Sequence, residues 1–418
     1  MNIYLKRFLK IFFYLISPLV IIVILILRPI KKIRFSLQSS ERLGDFAAHM
    51  EVYLSENKIK NSPQYLDIFI LTDIISNKTF TELLKKKVII LPNFITYPIY
   101  HVIKIFEKKY LFLQSLILKT KFEDNNFSIL KTDCNLVPDD EFLRKGNDFL
   151  KRVGIPKDAK IICLIVRDNE YLKRKFPKKN WDYHNYRNSN IDNYKMAISA
   201  ATNRGYYVFR MGEFVEKKLE IEGNKKIIDY SNNYRSDFLD IFLAYRCSFC
   251  ITTATGWDCV PAFTFRKPVI WTNYTPAGNM LTYSKDFLFS MKNHFDKVKK
   301  KKLNLKEISQ SNIAYAMDSK LFENSNIELQ ENEPEDLKDL TLEMIDRLEG
   351  NLRISKEDEE LQNNFWINYV KYFMLNNVKI DLSQKINPLW CTSKRLYGNK
   401  IISRIGNNFL KKNQFLID

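Results

Sequence analysis

Three short polar stretches in the middle of the chain carry the residue types needed to hold a phosphorylated ligand. Each follows an apolar run that reads as a buried strand. After residues 161–166 come Arg167, Asp168 and Tyr171. The run 206–211 has Arg210 as its penultimate residue and is followed by Gly212 and Glu213. Thr253, Thr255 and Gly256 follow the run 249–252. Polar residues just past strand ends matter because open parallel sheets bind ligands beyond their carboxyl edges. A helix predicted from Gly256 to Lys267-Pro268 would offer free N–H groups and its positive dipole end to a phosphate. Arg167 and Arg210 converging there would hold a diphosphate through charge-assisted hydrogen bonds. His184, Arg187 and Asn188 join the candidates from the long polar loop 167–189. Plainer roles compete: Arg167 can pair with Asp168 or Glu213, His184 can brace its loop, and Trp181 and Tyr183 read as loop packing.

The surrounding pattern supplies elements to position these residues. Asn190 is placed to cap a helix to Arg204, with Gly205 as its left-handed terminator. Strands are expected at 206–211, 227–228, 249–252 and 269–272, and Ser236 caps a helix through Tyr245. Repeated strand–loop–helix units of this length describe a doubly wound Rossmann-like domain over 151–350. Before it, strands at 33–37, 66–71 and 88–91 alternate with helices from Phe46 and Thr79, giving a smaller parallel α/β domain over 31–150. Pro138-Asp139-Asp140 opens a helix that closes at Gly154 and links the two. Asn332 is read as the cap of a helix to Glu349, and 351–418 as a helical extension. Cys247 and Cys250 form a C-x-x-C without further ligands, so they read as small buried apolar residues.

Residues 11–27 are almost unbroken apolar, flanked by Lys6, Arg7 and Lys10 before and Arg28, Lys31, Lys32 and Arg34 after. Residues 1–30 are therefore expected to be a membrane anchor, either spanning or lying in the interface. The heavier basic cluster on its C-terminal side predicts attachment at the cytoplasmic face of the inner membrane. The net charge of +18 suits an anionic lipid surface or a phosphorylated substrate. It also follows from a composition rich in Lys, Ile and Asn. No recognition-helix or Arg–aromatic signature points to nucleic acid.

The motifs Arg167-Asp168-x-x-Tyr171, His184-x-x-Arg187-Asn188-x-x-Ile191, Arg210-Met211-Gly212, Asp229-Tyr230…Ser236-Asp237-Phe238-x-Asp240 and Thr253-x-Thr255-Gly256…Val260-Pro261…Lys267-Pro268 occur in that order. In this the chain resembles a family of bacterial surface-polysaccharide glycosyltransferases, from about Arg42 onward and most densely over 161–275. The second domain is also distantly similar to the C-terminal half of bacterial fucosyltransferases, where a strand-end arginine holds the donor diphosphate. The resemblance implies a GT-B fold, two Rossmann-like domains facing across a cleft. It implies transfer of a sugar from a nucleotide-sugar donor to a surface-polysaccharide or lipid-linked glycan acceptor, with the nucleotide sugar as substrate and no cofactor. Asp-x-Asp is missing from the strand ends, which fits a metal-independent enzyme, and the E-x7-E pair of many retaining relatives is missing, which fits inversion. GT-B logic makes Asp45 the candidate general base, with Glu41 second; relatives carry His where Asp45 stands. Two alternatives stay open, a nucleotide-sugar epimerase of the same fold and a non-catalytic glycan-binding component of an export system.

Overall fold

Strands and helices alternate along the chain, and two of the three sheets among the described residues are parallel throughout. The computed structural model describes residues 3–122, 124, 127–221, 223–280, 284, 286–374 and 403–417. The chain divides after Asp139 into two units, Met1–Asp139 and Asp140–Asp418.

The first unit opens with helix α1 (Ile3–Ile26), followed by β1 (Lys32–Gln38) and α2 (Leu43–Lys60). Next come β2 (Tyr65–Leu71), α3 (Lys78–Lys85), β3 (Ile89–Ile90) and α4 (Asn93–Phe106). The three strands lie side by side in chain order, all parallel. Local chemistry sets the helix ends. Asn77 accepts a hydrogen bond from the Phe80 N–H and caps α3, while Asn61 takes a left-handed conformation that stops α2. Helix α2 begins three residues earlier than its apolar pattern implies, which draws Gly44 and Asp45 into its first turn.

In the second unit, α5 (Asp140–Arg152) precedes β4 (Ile161–Ile165), α6 (Lys195–Asn203), β5 (Tyr207–Arg210), β6 (Ile227–Ile228), α7 (Asp237–Arg246) and β7 (Phe249–Thr252). Then follow β8 (Val269–Tyr274), β9 (Phe287–Met291), β10 (Asn293–Asp296), β11 (Lys301–Lys302), β12 (Ile327–Gln330), α8 (Pro334–Leu348) and β13 (Arg404–Ile405). Seven strands form one parallel sheet in the order β13-β9-β8-β7-β4-β5-β6. Numbered from β4, the first six strands stand as 3-2-1-4-5-6, the doubly wound Rossmann order. The chain starts in the middle, builds outward one way, then returns to build the other way. The reversal falls between β4 and β7.

Helices cover both faces of this sheet, which is why its strands read as unbroken apolar runs. On one face Ala197, Ile198 and Ala201 of α6 and Leu337, Leu340, Met344 and Ile345 of α8 pack with Ile162, Leu164, Ile270 and Leu288. On the other, α5 and α7 meet so closely that a Cβ at Gly146 would lie 2.0 Å from the Phe242 ring. Only glycine fits there.

Several expectations need correction. The parallel sheet continues past β8 into β9 and β13, and β10, β11 and β12 form a separate antiparallel sheet. Residues 297–300 form the turn, and Lys301 and Lys302 the second strand, of that sheet's β10–β11 hairpin. Asn332 does not cap α8. Glu333 does, in a reciprocal capping box with Asp336, while the Asn332 amide is buried against the Asn273 N–H and the Met291 carbonyl. Of the expected extension 351–418, residues 375–402 lie outside the described residues. Its described parts belong to the second unit: β13 pairs with β9, and Gln362 brackets Ile405 through both backbone groups. Cys163, Cys247 and Cys250 are buried, as a reading of the C-x-x-C as core packing requires.

Candidate functional site

The carboxyl ends of β4 and β7 flank the point where strand order reverses, and their loops are tied together there. The Arg167 N–H donates to the Thr253 hydroxyl at 2.8 Å. Ser189 N–H donates to the Arg167 carbonyl at 3.0 Å, bringing the end of the long loop back to its start. The Arg187 guanidinium donates to the Ala254 carbonyl in the β7 loop. Three backbone-anchored links thus gather Arg167, Arg187, Asn188, Thr253 and Thr255 at one edge.

Polar atoms in this cluster lack protein partners. The Oδ1 atoms of Asn169 and Asn188 and the hydroxyls of Ser189 and Thr255 are buried without a hydrogen bond. Leaving such a group unpaired costs about 1–3 kcal/mol, so four in adjoining loops at a strand-end switch point mark a place for a polar ligand. The amide oxygens suit ligand hydroxyls, and the Ser and Thr hydroxyls can donate to phosphate oxygens.

Other predicted residues do structural work. Arg210 is 1% exposed; it donates to the Ser231 hydroxyl at 2.8 Å and the Lys217 carbonyl at 3.3 Å. Burial lowers its pKa against the pull of Asp229 and Asp168. It braces the loop after β5, while its Nε is buried without a hydrogen bond. Asp168 accepts from the Glu170 and Glu216 N–H groups at 3.0 and 2.9 Å, joining the β4 and β5 loops. Gly212 has φ +145°, and a Cβ there would meet Val215 at 2.6 Å. Glu213 pairs with Lys175 at 3.0 Å and stands 3.7 Å from Arg235. Tyr171 is half-buried in the helical turn Glu170–Lys175.

The helix expected after Gly256 is also corrected. A five-residue π-helical turn, Val260–Thr264, replaces it. The loop amides are already used: Ala254 N–H donates to the Thr252 hydroxyl and Gly256 N–H to Asp258, at 3.1 and 2.5 Å. Buried Asp258 also accepts from Thr252 at 3.2 Å. Burial pushes its carboxyl up, against the hydrogen bond from Gly256 and the nearby Arg187. An internal carboxylate takes the place a phosphate was expected to fill, so Thr253 and Gly256 contribute loop shape, not a helix dipole.

His184 is buried in an aromatic stack, its ring 4.0 Å from Tyr183 and 6.1 Å from Trp181. The Trp181 indole N–H donates to the Phe176 carbonyl at 3.0 Å, so this indole packs the loop. Lys292 was missed in the sequence. It follows β9 directly, is 3% exposed and donates to the Asn188 carbonyl at 2.5 Å. Burial pushes its ammonium down to about 8, opposed by Glu331. A lysine directly after the largely apolar run 287–291 was the available signal.

In the first unit, Glu41 accepts from Ser39 at 2.9 Å and from Thr72 at 2.6 Å. Burial alone would raise its pKa, but these hydrogen bonds, with help from its own N–H and Arg42, hold it below its ordinary value. Such a carboxylate is a poor proton acceptor. Asp45 is half-buried in the first turn of α2, a position where an acid also favours the helix dipole. One turn on, on the same face, His49 hydrogen-bonds Thr120 at 3.0 Å. Sequence reasoning passed over it, although i, i+4 spacing from Asp45 was visible.

No protein-family model matches the chain, and no curated protein matches it. Among solved structures it is similar to E. coli ADP-heptose LPS heptosyltransferase II, at 12% identity over 58% of this chain and 86% of that one, with a TM-score of 0.34. It is also similar to a glycosyl transferase family 9 structure from Veillonella parvula DSM 2008, at 11% identity over 58% and 80%, with a TM-score of 0.33. At these scores the fold rests on the strand order described above.

Proposed function

We propose that this chain is a metal-independent, inverting glycosyltransferase. It moves a sugar from a nucleotide-sugar donor to a surface-polysaccharide or lipid-linked acceptor, working at the cytoplasmic face of the inner membrane. The observation that carries the reading is the group of unpartnered buried polar atoms beside Arg167 and Arg187 at the switch point of a doubly wound sheet. The ordered motifs over 161–275, which resemble surface-polysaccharide glycosyltransferases, supply the reaction class. In this reading Arg167 and Arg187 stabilise the leaving nucleoside diphosphate as negative charge develops on it. Asn188, Ser189 and Thr255 orient the donor. Asp45 is the proposed base that deprotonates the acceptor hydroxyl, with His49 its nearest rival on the same helix face.

The test is a thermal-shift panel of UDP-, GDP- and CMP-sugars on the full chain in detergent. The anchor is retained because Ile21 and Ile24 belong to the first unit's core. One nucleotide class should stabilise the chain, by about 2.7 kcal/mol at a hundredfold excess over Kd. Arg167→Ala should abolish that response. Silence to every nucleotide sugar would refute the reading.

A further inference from the structure

Helix α1 is 24 residues long, about 36 Å, enough to cross a bilayer. Its surroundings argue for another arrangement. Ile21 and Ile24 are buried in one cluster with Phe35 and Ile70 of the sheet, Ile99 and Ile103 of α4, and Leu113 and Leu116 of the turn that follows. Further toward the N-terminus, the Tyr14 hydroxyl meets His101 at 3.3 Å and the Lys10 ammonium lies 5.2 Å from the Tyr97 ring centre. Residues 10–24 therefore run alongside α4, which is itself seated on the sheet. Were α1 to cross the hydrocarbon, α4 and the strands beneath it would have to enter too. The Lys104–Glu107 ion pair at the end of α4 would go with them. That would strand charged and polar groups where water cannot reach them.

The opposite side of α1 is apolar along its whole length. Tyr4, Phe8, Ile11, Leu15, Leu19, Ile22 and Ile26 recur at three- and four-residue intervals, and all are exposed. A helix packed on a water-facing domain would carry polar residues on that stripe. The apolar surface continues beyond α1. The 3-10 turn Leu111–Leu116 turns Leu113 and Leu116 inward to the cluster and leaves Leu111 and Phe112 exposed, next to exposed Tyr110 and Phe106. Charge completes the picture. The first acidic residue of the chain is Glu41, whereas Lys6 and Arg7 lie near the start of α1, Arg28 and Lys31 follow it, and Lys108 and Lys109 precede the turn. Cations framing a broad apolar strip fit the interface of an anionic lipid leaflet.

We propose that the first unit is a monotopic membrane platform. Helix α1 lies half-immersed along one leaflet together with Phe106 and residues 110–112, and it does not cross. The inference is independent of donor chemistry and stands or falls separately from the transferase reading.

Two measurements on the full chain test it. Reporters placed before Met1 and after Asp418 should be cleaved by protease from the same side of the membrane; cleavage from opposite sides overturns the proposal. The pair Leu111→Glu and Phe112→Glu, with circular dichroism confirming the fold, should lower partitioning into phosphatidylethanolamine/phosphatidylglycerol vesicles about tenfold or more. Partitioning equal to the parent would show that α1 anchors alone and would also overturn it.

Discussion

Arg187 stands in the long loop after β4 and Arg210 is the last residue of β5, and the two differ in their surroundings. Arg210 is enclosed by Ser231, Lys217 and Asp168, so Arg210→Ala should cost about 3 kcal/mol or more in urea unfolding. Arg187→Ala, which removes one link between the β4 and β7 loops, should cost less than that and remove the donor's thermal shift. The strand-end rule located Arg210, and extending it along the polar loop 167–189 added Arg187. It could not tell which would be buried, because that depends on where the loop after β5 folds back. His294 yields a pH prediction. Burial holds its imidazole down to about 4, assisted by Lys292 and opposed by a hydrogen bond with the Lys292 carbonyl. Unfolded, it would titrate near 6.5. The unfolded chain therefore binds more protons between those values, so this contribution to stability is whole above about pH 6.5 and is lost as pH falls to about 4. His294→Phe should flatten that part of the urea-midpoint profile. An unchanged slope would assign the acid sensitivity elsewhere.

At the level of elements, β4 through β8 were readable because short apolar runs followed by polar loops leave little choice, and β1 because Ile33, Phe35 and Leu37 alternate with polar residues. The cap at Ser236 and the left-handed Gly205 were readable for the same local reasons. What escaped was structure set by distant partners. Strand β13 is two residues long and exists because β9 lies beside it. Asn332 looks like a cap in isolation and instead fills a buried polar gap between β8 and β9. The loop after β7 is the instructive miss. A small-hydroxyl-Gly sequence suggested a phosphate cradle, but Asp258, two residues on, folds back to satisfy it. Asp258→Ala should strand the Gly256 N–H and the Thr252 hydroxyl, costing about 1–3 kcal/mol. Because the same loop is linked to Arg167 and Arg187, donor-induced stabilisation should vanish as well. Retained donor response with lost stability would separate the loop from the site.

For the molecule as a whole, the sequence revealed two parallel α/β units and an apolar N-terminal helix, and the structure adds that this helix is part of the first unit's core. Removing residues 1–30 should therefore do more than release the protein from membranes. It would uncover Phe35, Ile70 and Ile103, so the truncated chain should aggregate or unfold at lower temperature than the full chain in detergent. A truncated chain of equal melting temperature would contradict this. The junction has a geometric consequence too. Only residues 27–31 separate the end of α1 from β1, and seven residues of strand rise about 23 Å at most. If the first unit is the membrane platform proposed above, Glu41 and Asp45 stay close to the lipid surface, because β1 is short and starts next to the end of α1. A sugar chain tethered to the same leaflet would be met at a set height, within reach of its first few residues and not of its distant tip.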